Sequence, residues 1–141
     1  MTGSDFFDTN ILVYAYDSHE PDKQKKAQDI LTQGIKNGNG VISIQVLGEF
    51  FTVVTRKIQQ PISVVDAREI INNVSVMDVQ EIDLLIVKRA LETVDTYKIS
   101  YWDSLIVAAA ERAGCERIMT EDLNADQLYH GITATNPFIG S

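Results

Sequence analysis

The stretch "FFDTNILVYAYD", residues 6–17, sets three polar residues, Asp8, Thr9 and Asn10, inside an apolar run. Asp5 to Asp8 reads as a short strand, and Asn10 to about Tyr16 as a helical turn or short helix. Asp8 then stands at the carboxyl end of a strand, the edge at which open α/β sheets bind their ligands. The remaining chain decides whether such a sheet exists.

Strand and helix patterns alternate along it. Pro21 suits the first position of a helix through "DKQKKAQDILTQGIKNG", where Ala27, Ile30, Leu31 and Ile35 share one face and Gly38 ends it. "VIS" from Val41 is a short buried strand, and Ser43 caps a helix reaching about Ile58, before Pro61. Ser63 starts another helix to about Asn73, "VSVMDV" alternates like a strand, and a helical pattern covers about Glu81 to Thr96. A further helix begins near Ser100 and ends at Gly114; "RIMT" is a strand ending at Thr120, "EDLNADQL" a loop or helical turn, and "GITATNPF" a last strand and tail. Parallel neighbours need crossovers, so this order predicts an α/β fold with a central, mostly parallel sheet and helices on both faces.

Composition narrows the class. A chain of 141 residues is expected to form one domain over 1–141, and 45% hydrophobic residues with mixed charges belong to a globular protein. No run of about 18 apolar residues and no basic-then-apolar leader is present, so neither membrane insertion nor secretion is indicated and the cytoplasm is the default. The lone Cys115 can form no internal disulfide and has no ligand-like neighbours, which makes it structural. A formal charge of −8 argues against holding nucleic acid mainly through a basic surface. An enzyme whose carboxylates are neutralised by metal stays open.

Four acids occupy unusual places. Asp8 reads either as an N-cap or as a site residue. Glu49 falls in or beside the apolar stripe formed by Val46, Phe50, Val53 and Val54, where an unpaired carboxylate is costly, against the plainer reading of a charge on the solvated flank near Gln45 and Thr52. Asp103 follows Ser100 at a helix start, close to a capping box, and Asp122 follows "RIMT" at a second strand end, where a plain turn role is the alternative. Glu121 and Asp126 read as more exposed. Together the four are hard oxygen donors suited to Mg2+ or Mn2+. Such a cluster repels itself without cations, and one or two bound ions would acidify a water and stabilise charge developing in phosphodiester hydrolysis.

The stretches "FFDTNILVYAYD", "QVLGEFFTVVTRK", "SYWDSLIVAAAERAGCERIMTEDL" and "NPF" together resemble the PIN-domain nucleases, and within them the VapC-like toxins of toxin–antitoxin pairs. They span nearly the whole chain in the family's order. The resemblance implies a PIN-like three-layer α/β/α fold, with Asp8, Glu49, Asp103 and Asp122 as the catalytic, metal-holding quartet and Asn10 and Thr120 as polar support. It also implies Mg2+ or Mn2+ as cofactor, endoribonuclease activity, a homodimer, and an antitoxin that blocks the site. "NADQ" departs from the glycine expected near this point in close relatives, which bears on the loop and not on the carboxylates.

RNA phosphates would need cations beside this negative site. Arg56 and Lys57 at the end of the Glu49 helix, and Lys23, Lys25 and Lys26 on an exposed face, are the candidates, against the simpler reading of solvated charges. Tyr14, Tyr16, Tyr101 and Trp102 are candidates for base stacking or for packing. Rival readings are a PIN-like binding module without catalysis, an aspartate-nucleophile phosphatase and a phosphoacceptor receiver. The phosphatase pattern wants a second Asp where Asn10 stands, and the receiver wants a strand-end Lys after Lys98.

Overall fold

A computed structural model describes residues 3–139 of the chain. The elements in order are β1 (Asp5–Phe7), α1 (Thr9–Ala15), α2 (Pro21–Asn37), β2 (Gly40–Ser43), α3 (Ile44–Arg56), α4 (Val64–Val74), β3 (Asp78–Gln80), α5 (Leu84–Tyr97), α6 (Tyr101–Arg112), β4 (Arg117–Met119), β5 (Leu128–Tyr129) and β6 (Ile132–Thr135). The strands form one sheet in the order β3-β2-β1-β4-β6-β5, parallel except for the final β6–β5 pair. Helices flank it, as the alternation predicts. The chain winds outward from β1 through β2 to β3, then returns to lay β4 on β1's other side. That reversal opens a crevice beyond the carboxyl ends of β1 and β4.

Local chemistry sets most boundaries. Ser43, Ser63, Asp83 and Ser100 each accept a backbone N–H at the start of α3, α4, α5 and α6, and Pro21 opens α2. Gly38 closes α2 in the left-handed conformation, φ 70°, as a glycine readily does. Two expectations about strands need correction. Val74 ends α4 and β3 lies later, at Asp78–Gln80, so "VSVMDV" is mostly a helix end and turn despite its alternation. The stretch "EDLNADQL", expected to be a loop or helical turn, ends in a strand: Leu128–Tyr129 form β5, short and antiparallel, joined to β6 by a tight turn through His130 and Gly131.

The main core is built on Phe6, Phe7, Ile11, Leu12, Val46, Phe50 and Ile118, all at most 2% exposed. Each such side chain contributes about 1.5–3 kcal/mol over leaving it in water. Gly34 of α2 lets the helix lie directly on the sheet: a Cβ there would stand 2.6 Å from the Phe7 ring and 3.3 Å from the Gly40 Cα. α6 crosses β2, β4 and β6, and its residues Ser104–Ala110 are buried throughout, which the small Ala108–Ala110 run permits. α5 packs outside it through Ile86, Ala90, Leu105 and Ala108. Arg112 ties the two together with a bidentate bond to Asp83 at 2.7 and 2.8 Å.

Candidate active site

Asp8 follows β1 directly and does two things. Its Oδ1 accepts the Thr9 N–H at 2.7 Å, so the cap reading holds, and its Oδ2 accepts the Thr120 hydroxyl at 2.7 Å. The Asp8 N–H donates to the Met119 carbonyl at 3.0 Å, which extends the β1–β4 pairing into the crevice. Thr120, one residue past β4 and not within it, also accepts the Asp122 N–H at 3.0 Å through its hydroxyl. Asn10 Nδ2 completes the set by donating to Asp122 Oδ2 at 3.1 Å. Strand ends far apart in sequence thus meet through one threonine and one asparagine.

Charge shows which acids share a field. Asp8 is 4% exposed, and burial pushes its carboxyl up to about 7; the Thr120 and Thr9 hydrogen bonds pull the other way, while Asp122 and Asp103 add repulsion. Asp103, half-buried in the first turn of α6, is also raised, by burial first and then by Asp122, with Ser100 opposing. Glu49 is exposed beside the α3 stripe and not buried in it, which corrects the stricter reading of its position. Its Oε1 accepts the Thr9 hydroxyl at 3.0 Å, and this links it to the turn that Asp8 caps.

Among the cation candidates the structure separates two groups. Arg56 and Lys57 are exposed at the end of α3, and Lys57 shares a shallow depression of about 260 Å3 with Glu49. Lys25 and Lys26 line a different cavity, of about 860 Å3, with Asp5, Phe7, Gly34 and Arg117, and none of the four acids borders it. Lys25 also pairs with Asp29 at 3.6 Å. Lys23 is partly buried, where an exposed face was expected, and is engaged with Glu121 at 3.1 Å; Glu121, expected to be exposed, is partly buried as well. Tyr14 and Tyr16 are packing residues, edge to face with Phe138 and Phe50, whereas Trp102 is 62% exposed beside Asp103. Thr9 escaped the sequence reading as a contact to Glu49; its only signal was its place between Asp8 and Asn10.

The donor set fits a hard divalent cation. All four acids offer oxygen, three of them share an electrostatic field, and the Asn10 Oδ1, beside Asp122, is buried with no hydrogen-bond partner among the described residues. Among the described residues no three acidic, histidine or cysteine side chains close into a cage as they stand. Like-charged carboxylates are expected to stand apart until a cation offsets their repulsion.

The profile of the PIN domain matches residues 6–131. The chain belongs to the PIN-domain family. A search among curated proteins gives no significant match. Among solved structures this PIN domain is similar to a toxin–antitoxin complex from Klebsiella pneumoniae, with 20% identity, a TM-score of 0.69, and 96% of this chain and 98% of that chain covered. It is also similar to VapC20 of Mycobacterium tuberculosis, described as a sarcin-ricin loop cleaving toxin, with 20% identity, a TM-score of 0.65 and coverage of 84% and 92%. A DNA-bound VapBC from Salmonella typhimurium aligns with 14% identity, a TM-score of 0.69 and coverage of 96% and 99%. At these identities the likeness establishes the PIN fold. Family membership supports nuclease chemistry, and no helix among the described residues is long and apolar enough to cross a membrane.

Proposed function

We propose that this PIN domain is a metal-dependent endoribonuclease, the toxin of a VapC-like pair, acting as one domain over 1–141 in the cytoplasm and restrained by a cognate antitoxin. The observation that carries this reading is the meeting of Asp8, Asp103 and Asp122 in one field at the sheet's switch point, with Glu49 tied in through Thr9. The toxin–antitoxin and RNA-cleaving structures of the same fold support the partner and the substrate class, and a homodimer belongs to the same proposal. Asp8, Glu49, Asp103 and Asp122 would hold Mg2+ or Mn2+, while Asn10 and Thr120 orient Asp122 and Asp8. The bound ion would offset phosphate charge and acidify the attacking water. The protein's part is to keep the carboxylates fixed and partly dehydrated in the crevice.

The test is cleavage of a structured-RNA pool by the purified chain with Mg2+, with Mn2+ and with EDTA. Discrete products that require the cation are expected; products equally abundant in EDTA would sink the metal-dependent reading. Phosphate contact is expected beside Glu49, so Lys57→Ala should reduce the slope of log affinity against log salt by about one, the value for one phosphate contact. An unchanged slope in a filter-binding titration would remove Lys57 from the RNA path.

A further inference from the structure

Asp122 is exposed, lies in a segment without regular structure, and among the described residues its carboxylate accepts one hydrogen bond, from Asn10. Something else must hold it. Its neighbour Glu121 is gripped from two sides: Tyr14 of α1 donates to Glu121 Oε1 at 2.5 Å, and Lys23 of α2 donates to Glu121 Oε2 at 3.1 Å. Lys23 also donates to the Tyr14 hydroxyl at 3.2 Å, which closes the three groups into a ring. The ammonium lies 4.6 Å from the centre of the Tyr14 ring and 5.7 Å from that of Phe138, and the two rings meet edge to face at 5.1 Å. The tail beyond β6 therefore closes over the ring of contacts.

Fixing Glu121 restrains the peptides on both sides of it. On one side Thr120 binds Asp8, and on the other Asp122 turns back to bond the Thr120 hydroxyl through its N–H. We propose that Lys23 is a positioning residue, which with Tyr14 and Glu121 clamps the 120–122 segment and so sets Asp122 against Asp8. This rests on the metal-holding role proposed above for the acids. The Lys23 charge is engaged by Glu121 and does not serve as an RNA contact.

The sign of one substitution separates this from plain electrostatics. Lys23→Met keeps the stem against the rings and removes a positive charge, so by Coulomb attraction alone a cation would bind more tightly in the variant. Loss of positioning predicts the reverse. Titration calorimetry of the metal-free 141-residue chain with Mn2+ should show binding weakened roughly tenfold, the lower end of the effect of groups that orient metal ligands. Lys23→Arg should recover most of it, and Lys25→Met, an equal charge loss on the same helix, should leave the affinity unchanged. Unchanged or tighter Mn2+ binding in Lys23→Met overturns the clamp, as does an equal loss in Lys25→Met. No Mn2+ binding by the unaltered chain would overturn the metal reading and the clamp with it. Circular dichroism verifies the fold; if Lys23→Met does not fold, Tyr14→Phe, which removes only the hydroxyl, takes its place with the same expected direction.

Discussion

Asp8→Asn is expected to remove RNA cleavage while making the metal-free protein more stable at neutral pH. Loss of one charged group from a preorganised site costs roughly 10²–10³ in rate. The stability gain follows from burial. Asp8 has a folded pKa of about 7 against an ordinary value of 3.8, so the folded protein holds a proton that the unfolded chain has released. Below the ordinary value both states are protonated and the penalty is absent; it grows as pH rises through that window and is complete above the folded pKa. The burial of Asp8 sets an upper bound of about 4 kcal/mol on this penalty, and relaxation of the site brings the expected gain to the order of 2 kcal/mol. In melting temperature that is roughly 4–8 °C. Asparagine retains the cap on α1, so the helix start is preserved. Melting curves in EDTA should therefore show the variant ahead at pH 7.5 and level with the parent near pH 4. A variant that melts lower at both pH values would make Asp8 chiefly a structural cap.

Thr120→Val is the second large expectation. The residue is fully buried, and its hydroxyl both donates to Asp8 and accepts from Asp122. Valine keeps the shape and removes both bonds. A hydrogen bond to a charged group contributes about 1.5–3 kcal/mol, so the loss at pH 7.5 should be near 2–3 kcal/mol. The Thr120 bond favours the ionised form of Asp8, so its removal raises that carboxyl further and costs most where the group is charged. Urea denaturation should accordingly show a smaller difference at pH 4.5. Cleavage should fall roughly 10–100-fold and its pH profile should move to the alkaline side, while Thr120→Ser stays close to the parent. Equal effects of valine and serine, or an unmoved pH profile, would refute the bridging role.

How far this site was legible in the sequence depends on how local each signal is. Ser43, Ser63 and Ser100 announce their helices because a cap bonds a backbone group within three residues. Asp8 and Asp122 could be placed at strand ends because the apolar run stops beside them. β5 escaped because two residues carry no period; its readable trace was Gly131, at φ 84°, following His130 at φ 50°, a pairing typical of tight hairpins. "VSVMDV" misled because alternation does not distinguish a helix end and turn from a strand. Lys23 looked free because its partners, Tyr14 and Glu121, stand 9 and 98 residues away, and no window of sequence contains that ring.

The hydrogen bond between Thr120 and Asp8 joins residues 112 positions apart, and Thr120 is itself pinned by its N–H to the Thr135 carbonyl at 2.9 Å. During synthesis Asp8 is made early and then waits for almost everything else. A nascent chain that ends anywhere before β6 has a first carboxylate but lacks the strand that fixes the second. Closing so long a loop is rewarded only when β4 and β6 dock beside β1. Assembly of the candidate site therefore comes late, once β4 and β6 have been made and docked beside β1. For a protein whose proposed substrate is RNA, that order leaves the cutting edge unformed until β6 has been made.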